Sequence, residues 1–370
     1  MFVIAVDRDA GAPGFRYADR RAIVSVEDEP AVERLAEAER VDGVIAPGID
    51  WPVGPAARIA ARFGLPHPIS PATAVLSTSK LRQRERFQQA DVPQTRWKLV
   101  TAPDDELGCP CVVKAPDRQG QRGLSLVRTP EELEPAVDAA LRASRSGLCL
   151  IEELVEGPEV TVNGFSLDGV FHPLTVTDRI TAEPPAFGVA LAHVWPAEHA
   201  DDAAAVAERA AAALGIENGP TYTQLRVGPD GPRVIELAAR LGGGHDAELC
   251  EAALGVDLNG LALSGALGEP IARERLEPHP RAGGACVRFL VAPPGELREL
   301  EGVEDAASSP GVAWVRVYRR AGALIRPLRL GSDRAGAVLA VGASGAEARG
   351  RASRAAECVR FGTVHAEALV

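Results

Sequence analysis

The 370-residue chain has no basic excess, no long apolar run and no paired cysteine–histidine pattern, and each absence removes a class of function. A formal net charge of −11 argues against a nucleic-acid surface, which needs a basic patch. Local lysines can still govern a small anionic site in an acidic protein. No stretch of uninterrupted apolar residues approaches membrane-spanning length, so no membrane partner is expected. Met1-Phe2-Val3-Ile4-Ala5-Val6-Asp7 is too short, and lacks the basic flank, for a signal peptide. Most of the six cysteines (Cys109, Cys111, Cys149, Cys250, Cys286, Cys358) lie in apolar stretches, as buried free thiols do. Cys109-Pro110-Cys111 lacks the second pair that a zinc site requires. A reduced, cytoplasmic setting is the natural expectation. Four catalytic signatures are also missing. No G-x-G-x-x-G follows the first apolar run, and there is no Walker A loop, G-x-S-x-G elbow or H-E-x-x-H helix.

What is present is an ordinary globular composition, 46% hydrophobic and 25% charged, over a length that exceeds one hydrophobic core. Two or three domains are expected. Short apolar runs at residues 2–6, 23–26 and 43–46 alternate with helical patterns at 30–40 and 55–63, which predicts a small parallel α/β unit. Ser77-Thr78-Ser79-Lys80 then caps a helix to about Gln89. Strands at 111–114, 124–127 and 149–153, with a helix at 131–142, form a β-β-α-β unit small enough to move as a lid. Strands near 160–165 and 171–176, a long helix at 201–214 and a hairpin over 221–237 follow. From about Gly283, short strands alternate with Gly and Pro turns.

Ile151-Glu152-Glu153-Leu154-Val155-Glu156-Gly157-Pro158-Glu159 is a buried strand running into carboxylates and a turn. Such a strand end can surround a ligand rich in amino and hydroxyl donors, and it equally describes glutamates facing solvent. The hairpin turn Gly228-Pro229-Asp230-Gly231-Pro232, if centred on Asp230, sets Gln224 opposite Glu236. Strand alternation then gives Glu236, Ala238 and Arg240 the same face, and Leu225, Val227, Ile235 and Leu237 the buried one. An oxygen-rich row of this kind suits Mg²⁺ or an outer, solvated face. Lys114 ends an apolar strand before a loop containing Gly120 and Gly123, whose backbone N–H groups could cradle phosphate. Lys80 lies in the first turn of its helix, beside free amides. His193 and His245 fall nearby without an evident acid or nucleophile partner.

Taken in order, these pieces resemble the ATP-grasp superfamily, and within it the carboxylate–amine ligases, including the amino-acid ligases. The resemblance covers residues 78–267, and more weakly the N-terminal unit and the tail with Arg288-Phe289-Leu290 and Asp333-Arg334-Ala335-Gly336. It implies an α/β (α+β) chain with an N-terminal α/β domain (1–95), a lid (96–155), a catalytic subdomain (156–280) and a β-rich extension (281–370). It implies ATP and Mg²⁺ as cofactors, with Lys80 and Lys114 on phosphates and residues 119–125, including Gly120, Gly123 and Ser125, as the loop over the triphosphate. Glu152 would accept from the adenine amino group, the Glu153 and Val155 backbones would meet the ring edge, and Glu159 would hold the ribose. Glu236, with Gln224 beside it, would bind the metal, and Arg240 would steady an acyl-phosphate. The implied partners are a small carboxylate and an amine, joined through that acyl-phosphate with release of ADP and phosphate; a homodimer is common in the family. The family usually has an acid where Gln224 stands and often an Asn where Ala238 stands. Two alternatives follow: an ATP-binding regulatory protein without turnover, and an ATP-grasp carboxylase.

Overall fold

A computed structural model describes residues 1–104 and 106–364. The strands Ile4–Asp7 and Arg20–Ile23 pair in parallel, followed by the helices Glu29–Glu39 and Val53–Phe63. Val53, Ala56, Ala57 and Ala60 recur at helical spacing and form the buried face of the second helix. The third strand expected at 43–46 does not form. Ala46 packs against the central core, and the Pro47 carbonyl accepts from the Leu241 amide (3.1 Å), so this segment is tied to the exit of the hairpin. A helix that the sequence reading missed, Pro71–Ser77, is capped by Ser70. Ser79 then caps the expected helix, Lys80–Gln89, which buries Gln83, Arg84 and Phe87.

The unit expected to act as a lid is a four-stranded antiparallel sheet in the order Trp97–Val100, Cys149–Glu153, Cys111–Lys114, Leu124–Val127. Helix Leu133–Ala143 covers one face through Leu133, Val137 and Ala140, which pack on Val113, Val127 and Ile151. Alternation sends Val112, Lys114 and Glu152 to the other face, where they line a cavity.

The central sheet has eight strands, in the order Gly231–Ala238, Gly219–Gly228, Glu159–Leu167, Val170–Thr181, Ala190–Trp195, Gly284–Leu290, Gly336–Gly342, Val312–Val317. Val160 and Val162 face helix Ala200–Ala213. Phe165 and Leu167, on the opposite face, pack with helices Asp246–Leu254 and Leu258–Leu267. Three strands of the tail extend this same sheet. The tail also contains the 14-residue helix Gly345–Cys358, unexpected from its Arg- and Gly-containing sequence. Its buried stripe is alanine alone (Ala348, Ala352, Ala355), so it carries little apolar signal. A three-stranded sheet, Leu324–Ile325, Gly295–Glu301 and Arg360–Val364, completes the tail.

Candidate functional site

The hairpin sets the floor of the site. Its turn is two residues long, so Gly228 faces Gly231 and Leu225 faces Val234, one step off a turn centred on Asp230. A β-bulge at Ile235 restores the count, and Gln224 faces Glu236 as expected. The bulge also reverses one assignment. Val234 takes the core position that Ile235 was expected to fill, and Ile235 joins Glu236 on the cavity wall.

The cavity, of about 440 Å³, lies where the lid sheet, the hairpin, the loop at Gly48–Asp50 and the tail segment at 330–334 meet. Lys80, Lys114, Gly120, Glu152, Glu153, Val155, Glu159, Gln224, Glu236 and Arg240 all contribute to its lining. Lys80 Nζ binds Glu236 Oε1 at 2.8 Å and donates to the Arg118 carbonyl at 2.6 Å, which ties the helix start to both hairpin and loop. Gln224 donates from Nε2 to Tyr222 Oη (3.4 Å). Glu159 is held between Arg179 and Arg226. The Val155 carbonyl accepts from Arg226 (3.2 Å), while its N–H has no protein acceptor among the described residues.

Two of the expected residues are not at the cavity. Ser125 lies in strand Leu124–Val127, paired with Val113, outside the lining. Gly123 is also outside it; at φ +68° an added Cβ would sit 2.7 Å from the Ala143 Cβ, so packing on the lid helix requires glycine there. Gly120, at φ +65° in open space, does border the cavity. His193 is buried beside Asp246, and His245 contacts Glu248 and Tyr318, both away from the lining.

Of the expected site residues, Glu152 is the most heavily engaged by neighbouring cations. Its carboxylate is fully buried and bridged by Arg84 (2.7 and 3.1 Å) and Lys114 (2.7 Å). Burial alone would raise its pKa, but the two cations hold it down at about 2. Both oxygens are therefore engaged. Burial also pushes Lys114 down to about 8, against the pull of Glu152 and with Arg84 and Lys80 adding repulsion. Glu153, half-buried, pairs with Arg96 and Arg233 through its side chain, and its N–H donates to the Arg96 carbonyl (3.0 Å). Arg240 is partly buried, binds Asp50 Oδ1 at 2.6 Å and lies 5.5 Å from the Tyr222 ring centre. Burial would lower its pKa, but Asp50 keeps it above the usual arginine value.

Sequence reasoning missed Asp50, Arg84, Arg179 and Arg226, and singled out the segment holding Arg334 without giving it a role; all five border the cavity or anchor residues that do. Arg84 additionally donates to the carbonyls of Val234 (2.9 Å) and Ile235 (2.6 Å), and so fixes the bulge. One signal was available. The chain has three lysines, and two of them, Lys80 and Lys114, are at this cavity. Chemically, the arrangement is a cleft with cationic groups on both sides, one carboxylate beside an amide oxygen, and a buried guanidinium.

Comparison with known proteins matches two segments of the chain and its fold. Residues 107–248 match the family model described as "ATP-grasp domain", and residues 288–364 match "L-amino acid ligase C-terminal domain 2". The chain is 32% identical over 321 residues to uncharacterized protein y4rH of Sinorhizobium fredii; the match covers 82% of the chain but spans only 64% of that relative's length. It is 28% identical over 390 residues to a formate-dependent phosphoribosylglycinamide formyltransferase of Burkholderia cenocepacia, covering 97% of the chain and 89% of the relative. The crystal structure of an L-amino acid ligase from Bacillus licheniformis superposes with a TM-score of 0.82 at 24% identity, covering 94% of this chain and 88% of that one, and shares the fold.

Proposed function

Because the chain belongs to the ATP-grasp superfamily and carries the C-terminal domain of the L-amino acid ligases, we propose that it joins a small carboxylate to an amine at the expense of ATP. The carboxylate would attack the γ-phosphate to give an acyl-phosphate and ADP, and the amine would then displace phosphate to leave an amide. The observation that carries this reading is the convergence of Lys80, Lys114, Glu236 and Arg240 on one cavity. Phosphoryl transfer needs chiefly positioning and stabilisation of charge, and this wall supplies both.

In this reading Lys114 and Lys80 meet phosphate oxygens, and the loop at Gly120 closes over them. Lys80 would exchange its contact with Glu236 for phosphate. The free Val155 amide would meet the adenine edge, and Glu159 the ribose. Glu152 takes a different role from the expected one: it holds Lys114 in place and keeps its charge. Arg240, fixed by Asp50, would stabilise the acyl-phosphate oxygens. Mg²⁺ fits the donor chemistry, because the Glu236 carboxylate and the Gln224 amide oxygen are hard ligands facing each other across one strand pair. When bound, it would supply Lewis-acid stabilisation of the phosphates.

The test is release of ADP and phosphate from purified protein with Mg²⁺ and a panel of amino acids and other acids and amines. Release that needs both a carboxylate and an amine, with an amide product by mass spectrometry, is expected; Glu236→Gln should abolish it. No ADP with any pair, or full activity in Glu236→Gln, would reject the assignment. Gln224 supports a second reading, an ATP-binding regulatory protein without turnover, which would bind nucleotide tightly and release no phosphate with any mixture. Incorporation of labelled bicarbonate would indicate a carboxylase instead.

A further inference from the structure

Five carboxylates line the cavity: Asp50, Glu152, Glu153, Glu159 and Glu236. Four are committed to arginines. Asp50 holds Arg240 (2.6 Å), Glu152 holds Arg84 (2.7 Å) together with Lys114, and Glu153 holds Arg96 and Arg233 (2.6 Å each). Glu159 is paired to Arg179 and Arg226. Glu236 alone meets only a lysine, and through one oxygen; its Oε2 has no protein partner among the described residues. Its neighbour across the hairpin is Gln224, whose nitrogen is turned to Tyr222 Oη, leaving Oε1 free. Ala238, next on the same face, offers no donor. No group of three His, Cys, Asp or Glu side chains among the described residues could hold a metal.

This donor set suits one hard dication, completed by phosphate oxygens and water. A second one beside it would meet no further protein carboxylate that is not already paired to an arginine among the described residues. Glu236 contributes one negative charge, Lys80 one positive, and Gln224 none, so repulsion between two dications a few ångströms apart would go uncompensated by protein. We propose that the site takes a single divalent cation, brought in with the nucleotide and held by Glu236 and the Gln224 amide oxygen, and that Gln224 is what excludes a second. The inference rests on the ligase reading of this cavity and specifies its metal requirement.

The experiment counts bound Mn²⁺, as a stand-in for Mg²⁺, from the loss of the free-ion EPR signal. It uses the full chain saturated with a non-hydrolysable ATP analogue, whose binding is measured separately with a fluorescent nucleotide. Wild-type protein should take up one ion per bound analogue. Gln224→Glu, or Gln224→Asp should the first variant fold poorly, should take up two, the second about tenfold or more tighter than any second ion on the wild type. Two ions of comparable affinity on the wild type overturn the proposal, and the wild-type count decides this even without a variant. A folded acidic variant that still takes only one ion also overturns it, because Gln224 is then not the determinant. If the analogue does not bind at all, the ligase reading falls and takes this inference with it. Binding of the analogue with two ions removes the inference alone.

Discussion

Lys114 is a buried cation whose strongest contact is an equally buried anion, and its titration links stability to ligand binding. Its pKa in the folded chain, about 8, lies below the usual 10.5 because burial penalises the charged form. Between those two values the unfolded chain holds a proton that the folded chain has lost, so stability rises with pH across that window. Affinity for phosphate should move the opposite way, since the neutral amine offers the nucleotide no charge. Thermal midpoints should therefore increase from pH 8 towards 10 while the affinity for a non-hydrolysable ATP analogue decreases. Lys114→Arg, which cannot deprotonate in this range, should flatten both trends. Parallel changes in the two measurements would show that Lys114 does not govern the site. The same residue shows what sequence can reveal. The chain uses lysine only three times among its 40 basic residues, so a lysine ending a buried strand carries information that an arginine in the same place would not.

At the scale of elements, local signals were readable and pairings distant in sequence were not. The cap at Ser79, the helix at 200–213, the lid strands and the Gln224–Glu236 pairing all follow from residues close in sequence. The partners of Arg84 and Arg240 do not. Glu152 is 68 residues from Arg84, and Asp50 is 190 residues from Arg240, and no periodicity encodes such a distance. The hairpin shows the intermediate case. A two-residue turn and a bulge at Ile235 offset each other, so the expected face was right for Glu236 and wrong for Ile235. The lid loop separates two uses of glycine that look identical in sequence. Gly120 and Gly123 both have positive φ, but only Gly123 faces the lid helix at contact distance. Gly120→Ala should cost about 1 kcal/mol, the strain of a left-handed alanine, with the lid still docked. Gly123→Ala adds a clash with Ala143 and Ala115 and should cost about 2–4 kcal/mol. Hydrogen exchange in strands Cys111–Lys114 and Leu124–Val127 would distinguish them; equal protection in both variants would refute the packing argument.

For the molecule as a whole, the question is what holds the lid to the rest. Lys80 Nζ reaches the Arg118 carbonyl, the Gln119 side chain accepts from the Asp50 amide (2.8 Å), and Gln121 donates to the Gly188 carbonyl (3.3 Å). Outside the cavity, the Arg145 guanidinium, just beyond the lid helix, lies 3.5 Å from the ring centre of Trp51 and binds Glu27 at 2.6 Å. Lid and N-terminal unit are thus joined both at the cavity and outside it. The inner contacts involve residues that would meet the ligand, whereas Trp51 and Arg145 lie apart from it and can be changed without removing a ligand group. A single cation–π contact on a partly exposed ring is weak, so Trp51→Ala should leave the fold intact and shift the opening equilibrium of the lid by a factor of about two to five. A looser lid opens more often while the ligand is bound. Dissociation of a fluorescent ATP analogue, followed by stopped flow, should accelerate by that factor, with the association rate nearly unchanged because encounter occurs with the lid already open. An unchanged dissociation rate, or an effect confined to association, would mean that the cavity contacts alone close the lid and that Trp51 only covers the surface beneath Arg145.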